Sequence, residues 1–252
     1  LEVLDQPLSP LQLVGLSRFV ESVERVVNRI TEAAAGQAAP ASPTVPFPHL
    51  GGIAAETPSF AEETAAVRRA IDPGGDVLDN ASPALREIRD QLRRQRAKLR
   101  STLDALTRGR DTAKYLQDQI VTDRNGRYVV VVRAEHRDAI PGVVHGGSAS
   151  GASLYVEPMS TVGLNNDVVA LVEREREEIF RIWSALSNAF RSRADDLEAL
   201  LDGAADLDEL AAKARLAGRV DGIAPALASD GRVEFLGARH PLLLPAMRDL
   251  IG

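Results

Sequence analysis

Between Pro83 and Gly109, and again from Asn166 to Leu201, this chain contains neither proline nor glycine. A helix can run through each stretch unbroken, which leaves few ways for the chain to fold. In the first stretch, Ser82-Pro83 supplies an N-cap and a proline at the first helical position. Leu85, Ile88, Leu92, Gln95, Leu99, Thr102 and Leu106 then alternate steps of three and four, with Leu103 beside them. That stripe is close to a heptad seam interrupted by two polar positions. At about 1.5 Å per residue such a helix reaches roughly 40 Å, so it needs a partner. The second stretch supplies one, because Val168, Val172, Ile179, Trp183, Leu186, Phe190, Leu197 and Leu200 form another apolar stripe. The pattern predicts an antiparallel pair with the intervening residues at its far end.

Charge agrees with the pairing. The chain has a net charge of −6, yet residues 84–114 carry ten basic groups against four acidic ones, and residues 166–202 carry five against nine. Arg86, Arg89, Arg93, Arg94, Arg96, Lys98 and Arg100 crowd the first helix. They read either as a solvated face with ion pairs to the acidic helix, or as a surface for a nucleic-acid backbone. Exposed ion pairs contribute under about 1 kcal/mol each, so the apolar seam must carry most of the pairing.

Residues 115–165 change character. Ile120-Val121-Thr122 and the run from Tyr128 to Val132 are β-rich and flank Asp123-Arg124-Asn125-Gly126-Arg127. Asn-Gly is a strong hairpin signal, because both residues tolerate positive φ. Gly142-Val143-Val144-His145 and Ser153-Leu154-Tyr155-Val156 flank a second small-residue loop, Gly146 to Ala152. The segment reads as a small β-rich module at the tip of a helical arm. Its candidate nucleic-acid-binding residues are Arg124, Asn125 and Arg127 around the first turn, with Arg133 and Arg137 on or just after the returning strand. Arginine meets phosphate bidentately and asparagine adds a neutral hydrogen bond, and neither requires a particular base. The alternative is that Asn125-Gly126 only makes the turn and the arginines keep an exposed edge solvated.

The flanks read as shorter elements. A helix is predicted over 9–35, a loop over 36–52, a short helix over 60–71 closed by Asp72-Pro73-Gly74-Gly75, and a brief extended piece over 76–79. Beyond Leu201, Leu207, Leu210, Ala214 and Leu216 mark short helices, and residues 231–236 look like a strand. The fold expected is mainly α: a helical core (1–82), a first lever helix (83–114), a β-rich clamp (115–165), a second lever helix (166–202) and a helical return with a strand (203–252).

Several chemistries are excluded or disfavoured. There is no cysteine, so disulfides and thiolate zinc sites are out. None of the three lysines stands in a Walker A loop, and no serine has a Gly-x-Ser-x-Gly frame. The Gly146–Gly151 run lies between predicted strands without a helix to present its dipole, so a hairpin loop is favoured over phosphate binding. His49, His136, His145 and His240 include no helical i,i+4 pair, which disfavours a metal site. Glu173, Glu175, Glu177 and Glu178, interleaved with Arg174 and Arg176, read as a solvated face. No run of 18 apolar residues and no signal-peptide layout occurs, which predicts a cytoplasmic protein with no membrane partner. A chain opening on Leu1 is expected to be part of something longer.

The layout resembles the lever and clamp region of MutS-type proteins. Residues Val77 to Leu85 (VLDNASPAL) look like the entry to the first lever helix. Ile120-Val121-Thr122 with Arg124 to Val129 is similar to the first clamp hairpin, and Gly142 to His145, Ser148 to Ala152 and Val156-Glu157-Pro158 resemble the second. Leu164-Asn165-Asn166 looks like the start of the return helix, and Lys213-Ala214-Arg215 and Ala238 to Leu243 (ARHPLL) like the approach to an ATPase domain. Together the strings resemble the MutS-two branch, which lacks mismatch-reading domains. The resemblance implies an ATP-driven homodimer that embraces branched DNA or ribosomal RNA, suppressing homologous recombination and/or splitting collided ribosomes. ATP and Mg2+ would serve the full-length protein, as would a C-terminal nuclease module. These 252 residues contain no Walker A or nuclease motif, so their implied role is binding and force transmission, with no catalytic residue and no cofactor of their own. The reading from another class is a structural helical arm for protein–protein assembly.

Overall fold

Ser82 starts the long basic helix as expected. In the computed structural model its hydroxyl accepts from the Leu85 N–H at 2.9 Å, and Pro83 fills the first helical position. The helix, α4, runs Pro83–Arg108 and stops at Gly109, whose extended backbone bonds back to the Leu106 carbonyl. Described are residues 6–37 and 47–240. Before α4 come α1 (Pro10–Gln37), α2 (Pro48–Glu56) and α3 (Ala61–Ala70). After it come the single turn α5 (Arg110–Ala113), then β1 (Leu116–Arg124), β2 (Arg127–Arg133), β3 (Gly142–Gly147) and β4 (Ser153–Pro158), and finally α6 (Val162–Arg191) and α7 (Ala194–Val220). The chain is mainly α with one four-stranded antiparallel sheet, the class the sequence predicts.

By its internal packing the chain divides into two units. Of the described residues, one comprises 18–37, 47–64 and 190–240, and the other 6–17 and 65–189. In the first, α2 packs against α7, and the Phe60 and Phe190 rings stack 5.8 Å apart. A Cβ at Gly203 would fall 2.7 Å from Thr57 Oγ1, so only glycine admits this approach.

In the second unit α4 and α6 run antiparallel. Ser82 Oγ donates to Glu178 at 2.5 Å and Arg89 Nε to Glu175 at 2.7 Å, so rising numbers on one helix meet falling numbers on the other. Leu92, Leu99 and Leu103 share one core cluster with Val168 and Leu171 of α6 and with Leu116, Val130, Val132 and Val156 of the sheet. Gln95, one of the polar interruptions of the seam, keeps Oε1 buried without a partner. The sheet order is β1-β2-β4-β3, every pair antiparallel. Central β2 buries Val129, Val130, Val131 and Val132, and no more than 6% of any of them is exposed.

Three expectations are corrected. The sequence places the return helix over 166–201, but α6 starts at Val162 and ends at Arg191, and α7 then runs through Gly203 to Val220. The early start follows from Pro158 closing β4 and a one-turn 3-10 helix, Met159–Thr161, in which the Thr161 hydroxyl donates to the Pro158 carbonyl. The break falls at Arg193, whose backbone is non-helical (φ −121°, ψ 38°) and whose guanidinium sits 4.1 Å over the Phe60 ring while bonding Glu63 and Asp196. No local sequence signal marks it. The strand expected over 231–236 is absent: residues 222–240 have no regular structure, and Val233, Phe235 and Leu236 are 77–87% exposed. A strand needs a neighbour for its N–H and C=O groups, and no described strand lies beside this segment. Lastly, the loop predicted over 36–52 contains the start of α2 at Pro48, while residues 38–46 lie outside the described part. Of the string Ala238 to Leu243, Pro241 to Leu243 also lie outside it.

Candidate nucleic-acid interface

Asn125 (φ 55°) and Gly126 (φ 78°) are both left-handed, the backbone a two-residue hairpin turn demands. The Gly126 N–H donates to Asp123 Oδ1 at 3.1 Å, and Arg124 and Arg127 face each other across the turn. Their side chains have different fates. The Arg124 guanidinium lies 3.8 Å over the Tyr155 ring. Because β2 separates β1 from β4, this stack passes over β2 and roofs Val129 and Val131 on the face turned away from the helices. That explains why Val129 is 0% and Val131 6% exposed there.

Arg127 is bound into the sheet. Its Nη1 donates to both Glu157 oxygens at 2.8 and 3.0 Å, and its Nη2 to Asn166 Oδ1 at 2.8 Å. Glu157, only 1% exposed, also has His145 Nε2 2.6 Å from Oε2. A buried carboxylate is costly unless paired, and here β2, β4 and β3 each supply one member of the line. The neighbouring Asn165 brackets Tyr128: its Oδ1 accepts from the Tyr128 N–H at 2.9 Å and its Nδ2 donates to the Tyr128 carbonyl at 3.0 Å. β4 ends here at Pro158, which has no N–H to offer, so the side-chain amide continues the ladder where a strand cannot. Sequence reasoning does not single out Glu157, His145 and Asn165 as a site. The one signal it offers is an acid within a β-rich string, Val156-Glu157-Pro158.

Arg133 and Arg137 lie elsewhere. Arg133 ends β2 opposite Ser153, and its N–H donates to the Tyr115 carbonyl at 3.0 Å. Arg137 is exposed in the 3-10 segment Ala134–Ala139. The Ala134 N–H donates to the Ala152 carbonyl, so the small-residue loop stands at this end too. A seven-residue strand spans about 20 Å, and the five candidates therefore form two groups rather than one. Arg124, Asn125 and Arg127 sit beside Asn165 and Asn166, whereas Arg133 and Arg137 sit beside Lys114, Tyr115 and the loop. Lys114 Nζ lies 4.9 Å over the Tyr115 ring, and His136 meets that ring edge-on at 5.2 Å. The loop is a hairpin loop, tied by Gly151 N–H to Ser148 O (2.9 Å) and Ser153 N–H to Ser148 Oγ (3.2 Å).

On the helices, Arg89 and Arg93 both bond Asp79 and hold its carboxyl below the usual range. Glu178 falls from 4.5 to about 2, through the Arg181 hydrogen bond first, with burial opposing and the Ser82 hydroxyl assisting. Glu173 pairs with Arg176. Among the described residues no group of three or more His, Cys, Asp or Glu is placed to hold a metal ion, and no helix is long and apolar enough to cross a membrane.

The architecture is that of two long antiparallel helices that carry a small antiparallel sheet. No family model matches the chain. It is 40% identical to "Endonuclease MutS2" of Geobacillus sp. (strain WCH70) over 197 residues, covering 78% of this chain and 25% of that protein. Similarity to "Endonuclease MutS2" of Symbiobacterium thermophilum is 42% over the same shares. The protein of that name from Bacillus velezensis is 33% identical over 237 residues, 94% of this chain and 29% of the relative. The chain belongs to the MutS2 family, and it spans about a quarter of the length of the relatives it matches.

Proposed function

We propose that this chain is the part of a MutS2-type protein that grips nucleic acid and passes movement to it along a stiff helical pair. The observation that carries the reading is the placement of free guanidinium groups on the sheet and on the 3-10 segment that follows β2. Among the described residues, Arg133 and Arg137 have no carboxylate partner at one end, and Arg124 has only the Tyr155 ring at the other. Such groups meet phosphate without reading sequence. Arg127, held by Glu157 and Asn166, sets the turn in place, and the exposed Asn125 stands at its apex. The relatives are named endonucleases, which supports strand cleavage by the full-length protein, with ATP and Mg2+ acting at residues other than these. Branched DNA and ribosomal RNA on collided ribosomes are the two targets, both offering a phosphodiester backbone to a homodimer in the cytoplasm.

The test is a titration of the full-length protein with branched DNA and with ribosomal RNA at several salt concentrations. Affinity should fall log-linearly with salt, and the triple variant Arg124→Gln, Arg133→Gln, Arg137→Gln should weaken it for all sequences. Affinities and slopes identical to wild type would overturn the reading. Absence of any salt-dependent binding would favour a protein-assembly arm. The tighter of the two probes identifies the principal target.

A further inference from the structure

We infer that the outer face of α4 is a second, extended surface for a phosphodiester backbone, separate from the sheet. This rests on the nucleic-acid reading above. Arg86, Arg93 and Arg100 each follow a buried leucine (Leu85, Leu92, Leu99), so an arginine row repeats with the same seven-residue period as the core seam. At this period successive members stand about 10 Å apart along one side of a helix that the seam holds in place.

The fold leaves most of this charge unused. Three acidic groups of α6 are engaged, Glu173 by Arg176, Glu175 by Arg89, and Glu178 by Ser82 and Arg181, and its other two, Asp167 and Glu177, form no ion pair with α4. Arg93 is taken up by Asp79 and Asp90, and Glu87 accepts from Gln91. Arg86, Arg94, Arg96, Lys98, Arg100 and Arg108 are exposed and have no ion pair among the described residues. Like charges four residues apart, as in Arg94/Lys98 and Arg96/Arg100, destabilise a helix, which the Asp90/Arg94 and Arg100/Asp104 spacings offset only in part.

The chemistry of the face selects the partner. No large hydrophobic residue is exposed on α4, although several are exposed on β1, β3 and α6. A stable protein interface has an apolar centre, whereas a polyanion needs only spaced cations. A phosphate backbone supplies negative charge continuously along its length and matches an elongated row of guanidinium groups.

The experiment compares three forms of the full-length protein on mixed-sequence duplex DNA across a salt series. They are wild type, the sheet triple variant above, and an α4 variant carrying Arg86→Gln, Arg94→Gln, Arg96→Gln and Arg100→Gln. These four side chains are exposed and unpaired, so thermal melting should show no loss of stability. The α4 variant should bind more weakly, by roughly tenfold or more, and its salt slope should drop by about 0.9 for each phosphate it no longer neutralises. The two variants combined should be additive, since the surfaces are distinct. If wild type binds and the sheet variant weakens it while the α4 variant keeps the wild-type slope, this inference falls and the proposed function stands. Wild type without salt-dependent binding overturns both.

Discussion

Glu157 shows how one residue can fix a surface. Its carboxylate is buried and satisfied by Arg127 on one side and His145 on the other, so removing it strands an arginine inside the sheet. Breaking a buried pair costs roughly 3–5 kcal/mol, and the partial exposure of Arg127 and His145 puts Glu157→Gln at the lower end, about 3 kcal/mol. Denaturant melts of Glu157→Gln, Arg127→Gln and the double variant check this. The double variant should lose much less than the sum of the singles, and additive losses would show that the two side chains do not act as a pair. Arg124, by contrast, has no carboxylate partner among the described residues, and its guanidinium lies over the Tyr155 ring.

At the scale of elements, the α4–α6 seam separates buried from flanking positions. Leu92 and Leu99 are 3% and 0% exposed, and replacing either with alanine should cost roughly 2–5 kcal/mol. Arg93→Ala removes only ion pairs whose members are largely exposed and should cost under about 1 kcal/mol. Similar thermal shifts for the two classes would contradict the assigned faces. The α6 carboxylate Glu178 adds a pH dependence. Its folded pKa of about 2 lies below its ordinary 4.5, so the folded state binds the proton less readily than the unfolded chain. Its contribution is complete above pH 4.5 and disappears as pH falls toward about 2. Asp79, held down by Arg89 and Arg93, acts in the same direction. Glu178→Gln should flatten stability against pH within that window and leave the slope above it unchanged, as read from urea midpoints.

Taken as a whole, the chain varies in how deeply its backbone is protected. The amides of Val129 to Val132 lie in a central strand paired on both sides and buried on both faces. Residues 222–240 have no regular structure, and Ile223 and Leu227 are 92% and 95% exposed. Hydrogen exchange should therefore be slowest in β2 and nearly unprotected over 222–240. Protection over 222–240 comparable with that of β2 would contradict the described conformation. The two units should also respond separately to core substitutions, with Leu99→Ala raising exchange within 65–189 first.

What the residues alone determined was whatever rests on local rules. Ser82-Pro83 and Gly109 bounded α4, its three-four spacing fixed the buried face, and Asn125-Gly126 fixed the first hairpin, because caps, periodicity and positive φ act over a few residues. The family strings, too, were legible as sequence. Tertiary structure decided the rest. The helix breaks at Arg193, where Phe60 and Glu63, some 130 positions earlier, hold its side chain, and in α7 the missing Cβ of Gly203 leaves room for Thr57. The segment 231–236 has strand-like residues but no described strand to pair with. The candidate site divided in the same way: four arginines close in sequence lie toward opposite ends of one sheet, and pairing with a buried glutamate thirty residues on consumes one of them. A charge in sequence states what can bind, but only the fold determines which charges are left unpaired to do so.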